Sequence, residues 1–143
     1  MSELSDEVQQ FLDEPHLAVC VTLMKGGAPQ ATPVWVDHDG VRVLINTVVG
    51  HQKERNLRRD ARVALCVIDP NEAGRYIQVR GRVLEIISGD EAWQHINKLS
   101  EKYSGRAYRG REGEERIKVV IEPLRVDYRA GRARGGGSGR WAG

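Results

Sequence analysis

Apolar residues in this chain come in short runs of strand length, separated by glycine turns and by a few stretches at helical spacing. Leu17 to Met24 is apolar almost without interruption, which predicts an interior strand. Lys25-Gly26-Gly27 turns it, and Ala28 to Asp37 is expected to return as its antiparallel partner. Pro33 lies inside that second strand and cannot donate to a ladder. Its missing N–H must therefore face an edge, a bulge or a ligand. After the His38-Asp39-Gly40 turn, Val41 to Thr47 forms a third run and Arg62 to Ile68 a fourth. Asp69 to Gly74 reads as a loop. Tyr76 to Ile87 is a long strand in which Ile77, Val79 and Val83 point inward and, after a phase slip, Leu84, Ile86 and Ile87 follow; Gly81 marks a bulge. Ile117 to Ile121 is a last core strand, broken by Pro123 before a short Leu124 to Tyr128 segment.

Three stretches change to helical spacing. Ser5 is an N-cap candidate ahead of Asp6, Glu7, Val8, Phe11 and Leu12, and the helix stops before Pro15. Ser88 and Glu91 form a capping-box signal for a helix ending near Gly105, whose Ala92, Trp93, Ile96, Leu99 and Tyr103 share an inward face, with His95 on the polar side. Between the third and fourth strands lies the least usual segment, His51 to Asp60. From Lys53 to Asp60 six of eight residues are charged and Leu57 is the only apolar one. A wide apolar stripe cannot anchor such a helix. Starting after Gly50, it aims free N–H groups and a positive dipole end beside Lys53, which suits a phosphate. A solvated surface helix accounts for the same charges.

These elements predict a mainly β (α+β) fold, with six or seven antiparallel strands in a closed or nearly closed barrel, since closure removes exposed edges. A length of 143 residues fits one domain, taken as residues 1–129, with a Gly/Arg-rich tail over 130–143 in which only Trp141 hints at more than a disordered run.

The formal charge of +2 is uneven. From Arg125 to Gly143 five arginines stand against Asp127, so the tail supplies much of the basicity, which argues against a nucleic-acid partner for the body. No apolar run approaches the roughly 20 residues that span a bilayer, and the acidic N-terminus is unlike a secretory leader, so a cytoplasmic protein with no membrane partner is expected. Cys20 and Cys66 lie in apolar runs outside any Cys-x-x-Cys spacing and are expected to be buried, reduced thiols.

The four histidines are scattered and no Gly-x-Ser-x-Gly is present, so neither a hydrolytic triad nor a metal set is readable. His51, at the head of the basic helix, is either a contact to an anion or a solvated turn residue. Pro33, Val34 and Trp35 offer a flat shelf for an aromatic ring or, alternatively, ordinary core; Tyr76 and Trp93 carry the same ambiguity.

The run Gly50-His-Gln-Lys53-Glu-Arg55-Asn56-Leu-Arg-Arg-Asp60, preceded by Ala31-Thr-Pro33-Val-Trp35 and the strand ending at Thr47, resembles the pyridoxamine 5'-phosphate oxidase-like split β-barrel superfamily. Within it the chain is similar to the flavin/deazaflavin oxidoreductases of the B group, many of which use coenzyme F420. The later Lys102-Tyr103-Ser-Gly105-Arg-Ala-Tyr108 and Arg116-Ile-Lys-Val-Val-Ile-Glu-Pro123 stretches share that likeness. Ala61 departs from it, standing where the family often has proline.

The resemblance implies a split barrel that binds F420 or, as the alternative, FMN. It implies Lys53 on the cofactor phosphate, Arg55 and Asn56 as supporting contacts, Thr47 near the phosphate or ribityl chain, and Pro33, Val34 and Trp35 along the ring. It also implies a homodimer with sites at the interface, where Tyr76, Gln78 and Arg80 reach the partner's cofactor. The basic loop of Arg106, Arg109 and Arg111 is expected to meet the anionic tail of F420. The function expected is hydride transfer between reduced cofactor and a small planar unsaturated substrate. An FMN-dependent oxidase or reductase is the alternative, and a non-catalytic flavin- or haem-binding module a third reading.

Overall fold

The computed structural model describes residues 4–131. Among these, three helices accompany seven strands: α1 Asp6–Asp13, β1 Leu17–Leu23, β2 Pro29–Val34, β3 Val36–His38, β4 Val43–Val48, α2 Gln52–Arg59, β5 Arg62–Asp69, β6 Glu72–Ile87, α3 Asp90–Ser104 and β7 Arg116–Ala130. The strands form one sheet in the order β2-β1-β5-β6-β7-β4-β3, and all its pairs are antiparallel. The two edge strands, β2 and β3, are separated in the chain only by Trp35. Three consecutive Cα atoms span about 7 Å at most, so the sheet must curl until its edges meet at that residue. This is the split barrel implied by the sequence resemblance, and the strand expected over Ala28 to Asp37 is in fact two strands on opposite edges. Pro33 lies on edge strand β2, which tolerates its missing N–H.

Phe11, Leu12, Ile45, Leu65, Ile77, Ile117 and Ile121 are fully buried in the barrel core, and α1 closes it with Val8, Phe11 and Leu12. Ser5 caps α1 by accepting from the Val8 N–H at 3.2 Å.

Several expectations are corrected. β7 runs unbroken through Pro123, because Pro123 lies opposite Gly81, where the β6–β7 register shifts and a backbone donor is dispensable. A second shift between Val83 and Glu85 turns Leu84 outward, 40% exposed, so it is not an inward residue. Glu72 already pairs with Asp69, which shortens the expected loop. Gly89, not Ser88, is the N-cap of α3, at a φ of 79° and with no side-chain bond. Trp93 is 37% exposed, whereas His95 is buried. Cys20 and Cys66 are both free, but only Cys20 is fully buried. The tail from residue 132 onward lies outside the described residues. Among the described residues no helix is long and apolar enough to cross a membrane.

The charged helix α2 is anchored mainly by polar groups. Leu57 is buried, but so are Asn56 and Glu54. The Asn56 amide donates to Thr22 Oγ1 at 3.0 Å and to Gln30 Oε1 at 3.2 Å, tying α2 to β1 and β2. Glu54 accepts from the Gly50 N–H at 3.0 Å and from Arg58, and these bonds hold its carboxyl below the usual range. Gly50 itself has a φ of 100°, which favours glycine at the turn into the helix.

Candidate functional site

A cavity of about 440 Å³ opens where the β1–β2 edge meets β4, beside the Trp35 corner. Its lining divides by chemistry. One group is apolar and aromatic: Leu17, Ala18, Pro33, Val34, Trp35, Ile96 and Tyr103. The Trp35 and Tyr103 rings are nearly parallel, at 9°, with centroids 5.4 Å apart. The Tyr103 hydroxyl donates to the His16 carbonyl at 2.8 Å and accepts from the Val36 N–H at 3.3 Å. That pair of bonds fixes the ring across the seam, and burial raises the phenol's pKa, keeping it neutral.

The second group is polar and comes from the approach to β1, the end of β4, the start of α2, the loop before β7 and the first residue of β7: His16, Asn46, Thr47, His51, Lys53, Tyr108 and Arg116. Among the described residues no carboxylate lines the cavity, whereas the basic side chains of Lys53 and Arg116 do. Lys53 is half-buried in the first turn of α2 and makes no side-chain hydrogen bond or ion pair among the described residues. Burial draws its ammonium below the ordinary lysine range, and the nearby Arg116 charge acts in the same direction. A bound anion offsets both effects.

Arg116 opens β7 and is 9% exposed. Its Nε donates to Asn46 Oδ1 at 2.8 Å, and its Nη1 donates to Glu114 Oε2 at 2.7 Å and to the Tyr108 hydroxyl at 3.2 Å. The Asn46 amide nitrogen in turn donates to the Ala92 carbonyl at 3.0 Å and to His95 Nδ1 at 3.2 Å. His95 Nε2 faces Asp37 Oδ2 at 3.6 Å, and Lys98 Nζ lies 3.3 Å from the same oxygen. A polar chain thus crosses β3, α3, β4 and β7 and ends on a guanidinium at the cavity wall. Asn46 in an apolar strand was its only trace in the sequence; neither it nor Arg116 was among the predicted site residues.

Of the predicted residues, Pro33, Val34, Trp35, Thr47 and Lys53 come together in this cavity, and His51 with them. Arg55, Asn56 and Tyr76 do not line it. Arg55 is exposed, donating to the Gly50 carbonyl and to Gln52 Oε1 at 2.8 Å, and Asn56 faces the barrel interior. Tyr76 lies on the outer face of β6, alternating with buried Ile77 and Val79 and sharing that face with Gln78 and Arg80. Arg106 and Arg109 line a second cavity with Ser100 and Ser104, and Arg111 a third with Glu112; both share Tyr108 with the first. Among the described residues no cluster of His, Cys, Asp or Glu is disposed to hold a metal.

The family model for pyridoxamine 5'-phosphate oxidase matches residues 4–130. No curated protein matches the chain significantly. An F420 reductase structure is 26% identical, with a TM-score of 0.76, over 87% of this chain and 98% of that one. A conserved hypothetical protein from Mycobacterium tuberculosis is 24% identical, with a TM-score of 0.72, over 89% and 85% of the two chains. An FAD and haem binding protein from Mycobacterium smegmatis shares the fold at 16% identity and a TM-score of 0.67, over 92% and 73%. With a curled seven-stranded sheet, a cavity at its split and a family match over nearly its whole length, the chain belongs to the pyridoxamine 5'-phosphate oxidase family and has a flavin/deazaflavin oxidoreductase fold.

Proposed function

We propose that the cavity holds a ring-and-phosphate cofactor, F420 in first place, and that the chain is an F420-dependent oxidoreductase acting on a small planar unsaturated substrate. The observation that carries this reading is Lys53, a half-buried cation that has no partner and shares its cavity with no carboxylate among the described residues, across from an aromatic wall of Trp35 and Tyr103. The volume of about 440 Å³ is in the range of small-molecule sites. Likeness to an F420 reductase supports the deazaflavin over FMN.

When bound, the reduced deazaflavin ring supplies the hydride. The chain's residues bind and orient. Lys53 and the N–H groups opening α2 take the phosphate. Thr47 supports the ribityl chain, while Pro33, Val34 and Trp35 give the ring an apolar shelf and exclude water from one face.

A second copy completes the reading. Pro33 pairs with Val19, Val19 with Cys66 and Cys66 with Gln78; Leu17 pairs with Ile68 and Ile68 with Tyr76. This outward, largely apolar face continues from the cavity wall through Leu17 and Pro33, and Leu17 is 61% exposed. We assign it to a homodimer interface that brings Tyr76, Gln78 and Arg80 toward the partner's site. Sedimentation of the full chain at micromolar concentration tests this: a dimer that Tyr76→Glu dissociates is expected, and a monomer sinks it.

The cofactor reading is tested by titrating the purified chain with F420 and with FMN, following fluorescence. F420 is expected to bind, and Lys53→Ala is expected to raise its Kd about 5- to 150-fold, the loss of one charge-assisted contact of about 1–3 kcal/mol. FMN binding with none for F420 supports instead the FMN-dependent oxidase or reductase that the family match also accommodates. Tight binding of either cofactor without turnover on any acceptor supports a carrier.

A further inference from the structure

We infer that Arg116 is a second anion-holding residue of the cavity, set beside Lys53 by a built-in scaffold, so that the cofactor's phosphate is gripped by two cations far apart in the chain. This rests on the cofactor reading above and adds to it a residue that neither the helix motif nor the α2 N-terminus contains.

Arg116 is fixed before any ligand arrives. Three donated hydrogen bonds hold its Nε and Nη1, to Asn46, Glu114 and Tyr108, while Nη2 has no partner among the described residues. The Tyr108 ring lies beneath the guanidinium, with the Arg116 Cζ 5.2 Å from its centroid. Asn46 cannot drift, because its amide nitrogen is tied to the Ala92 carbonyl and to His95. A planar fork held in this way loses little conformational entropy on meeting a phosphate, which a free surface arginine does not match.

Charge balance points the same way. Arg116 has Glu114 as its counter-ion, but Lys53 has none among the described residues. With Arg116 near enough to disfavour the Lys53 ammonium, the cavity carries an uncompensated positive charge. Two like charges at a partly buried wall are costly unless an anion bridges them. The residues that build the scaffold come from β4, α3, the loop before β7 and β7 itself, so nothing in the local sequence around Lys53 announces it.

The test compares phosphate-bearing with phosphate-free ligands by fluorescence titration of the full chain: FMN against riboflavin, which differ in the phosphate alone, and F420 against its ring-and-ribityl fragment, which lacks the anionic tail as well. In the wild type the phosphate-bearing member of the bound pair is expected to be favoured. Arg116→Gln is expected to reduce that preference about tenfold, as is Lys53→Ala, with affinity for the phosphate-free member unchanged. Because Arg116→Gln leaves Glu114 without its counter-ion, the double variant Arg116→Gln/Glu114→Gln is measured alongside it, with circular dichroism as the check on folding. Arg116→Lys, which keeps the charge without the fork, is expected to restore part of the preference.

If Lys53→Ala lowers the preference while the folded Arg116 variants leave it intact, Arg116 is structural only and the inference falls while the cofactor reading stands. If the wild type itself does not discriminate between phosphate-bearing and phosphate-free members, both fall together.

Discussion

Gly81 lies directly opposite Pro123 across the β6–β7 pair, at the point where the register of the two strands shifts. A Cβ on Gly81 would stand 2.4 Å from the Glu122 carbonyl oxygen and 2.8 Å from Ile121 Cγ2. One of those neighbours is backbone and cannot swing aside. Gly81→Ala is therefore expected to destabilise the barrel by about 1–3 kcal/mol, read as a lower Tm and an earlier urea midpoint with little change in slope. An unaltered Tm would mean that the bulge relaxes freely.

Asn56 is fully buried, and its amide is spent on Thr22 and Gln30. Asn56→Ala removes the buried donor shared by Thr22 and Gln30, leaving those two side chains only their mutual bond at 3.3 Å, with an expected cost of about 1–3 kcal/mol in unfolding free energy. Because the residue does not line the cavity, the folded variant is expected to keep cofactor affinity within about twofold. A large loss of affinity at full stability would return Asn56 to the ligand contacts that the sequence resemblance implied.

Tyr103 does two jobs that substitution separates. Tyr103→Phe removes the bonds to His16 and Val36 but keeps the ring beside Trp35, so a stability loss of about 1–2 kcal/mol with modest change in ligand affinity is expected. Tyr103→Ala removes the aromatic wall as well. Titration with the ring cofactor is then expected to show clearly weaker binding than Tyr103→Phe, and equal affinities would detach Tyr103 from the site.

Glu114 links the cavity to acid stability. Burial alone raises its carboxyl pKa, but hydrogen bonds from Tyr108, the Arg111 N–H and Arg116 outweigh it and hold the value at about 2. Asp37 is likewise held low, with burial opposed by His95, the His38 N–H and Lys98. An unfolded carboxylate titrates near 4.3. The stabilisation from Glu114 is thus complete above that pH and is lost as pH falls toward 2. Urea unfolding at a series of pH values is expected to show this decline, and Glu114→Gln to flatten part of it.

Much of the barrel was legible in the chain because strands, turns and the N-terminal helix are written in local patterns. The runs around Cys20, Ile45, Leu65 and Ile77 alternate or persist as interior strands do, and glycines punctuate them. Lys53 was legible too, since its place after a glycine turn in a helix of charged residues is a matter of neighbours in sequence. Misreadings arose where distant partners decide. Pro123 reads as a strand break until Gly81 is placed opposite it, and His95 reads as polar surface until Asp37 and Asn46 surround it.

What the sequence by itself determined is the three helices, most of the strands and a cation at the head of α2, but neither the split at Trp35 nor the continuation of β7 through Pro123. Tertiary structure alone decided that Trp35 joins the two sheet edges, that Asn56 turns inward while Lys53 lines the cavity, and that Arg116 arrives beside Lys53. The physical reason is strand order. β7 inserts between β6 and β4, and β2 and β3 become opposite edges of one sheet, so long-range antiparallel pairing sets the neighbours of each site residue. No local periodicity encodes that pairing.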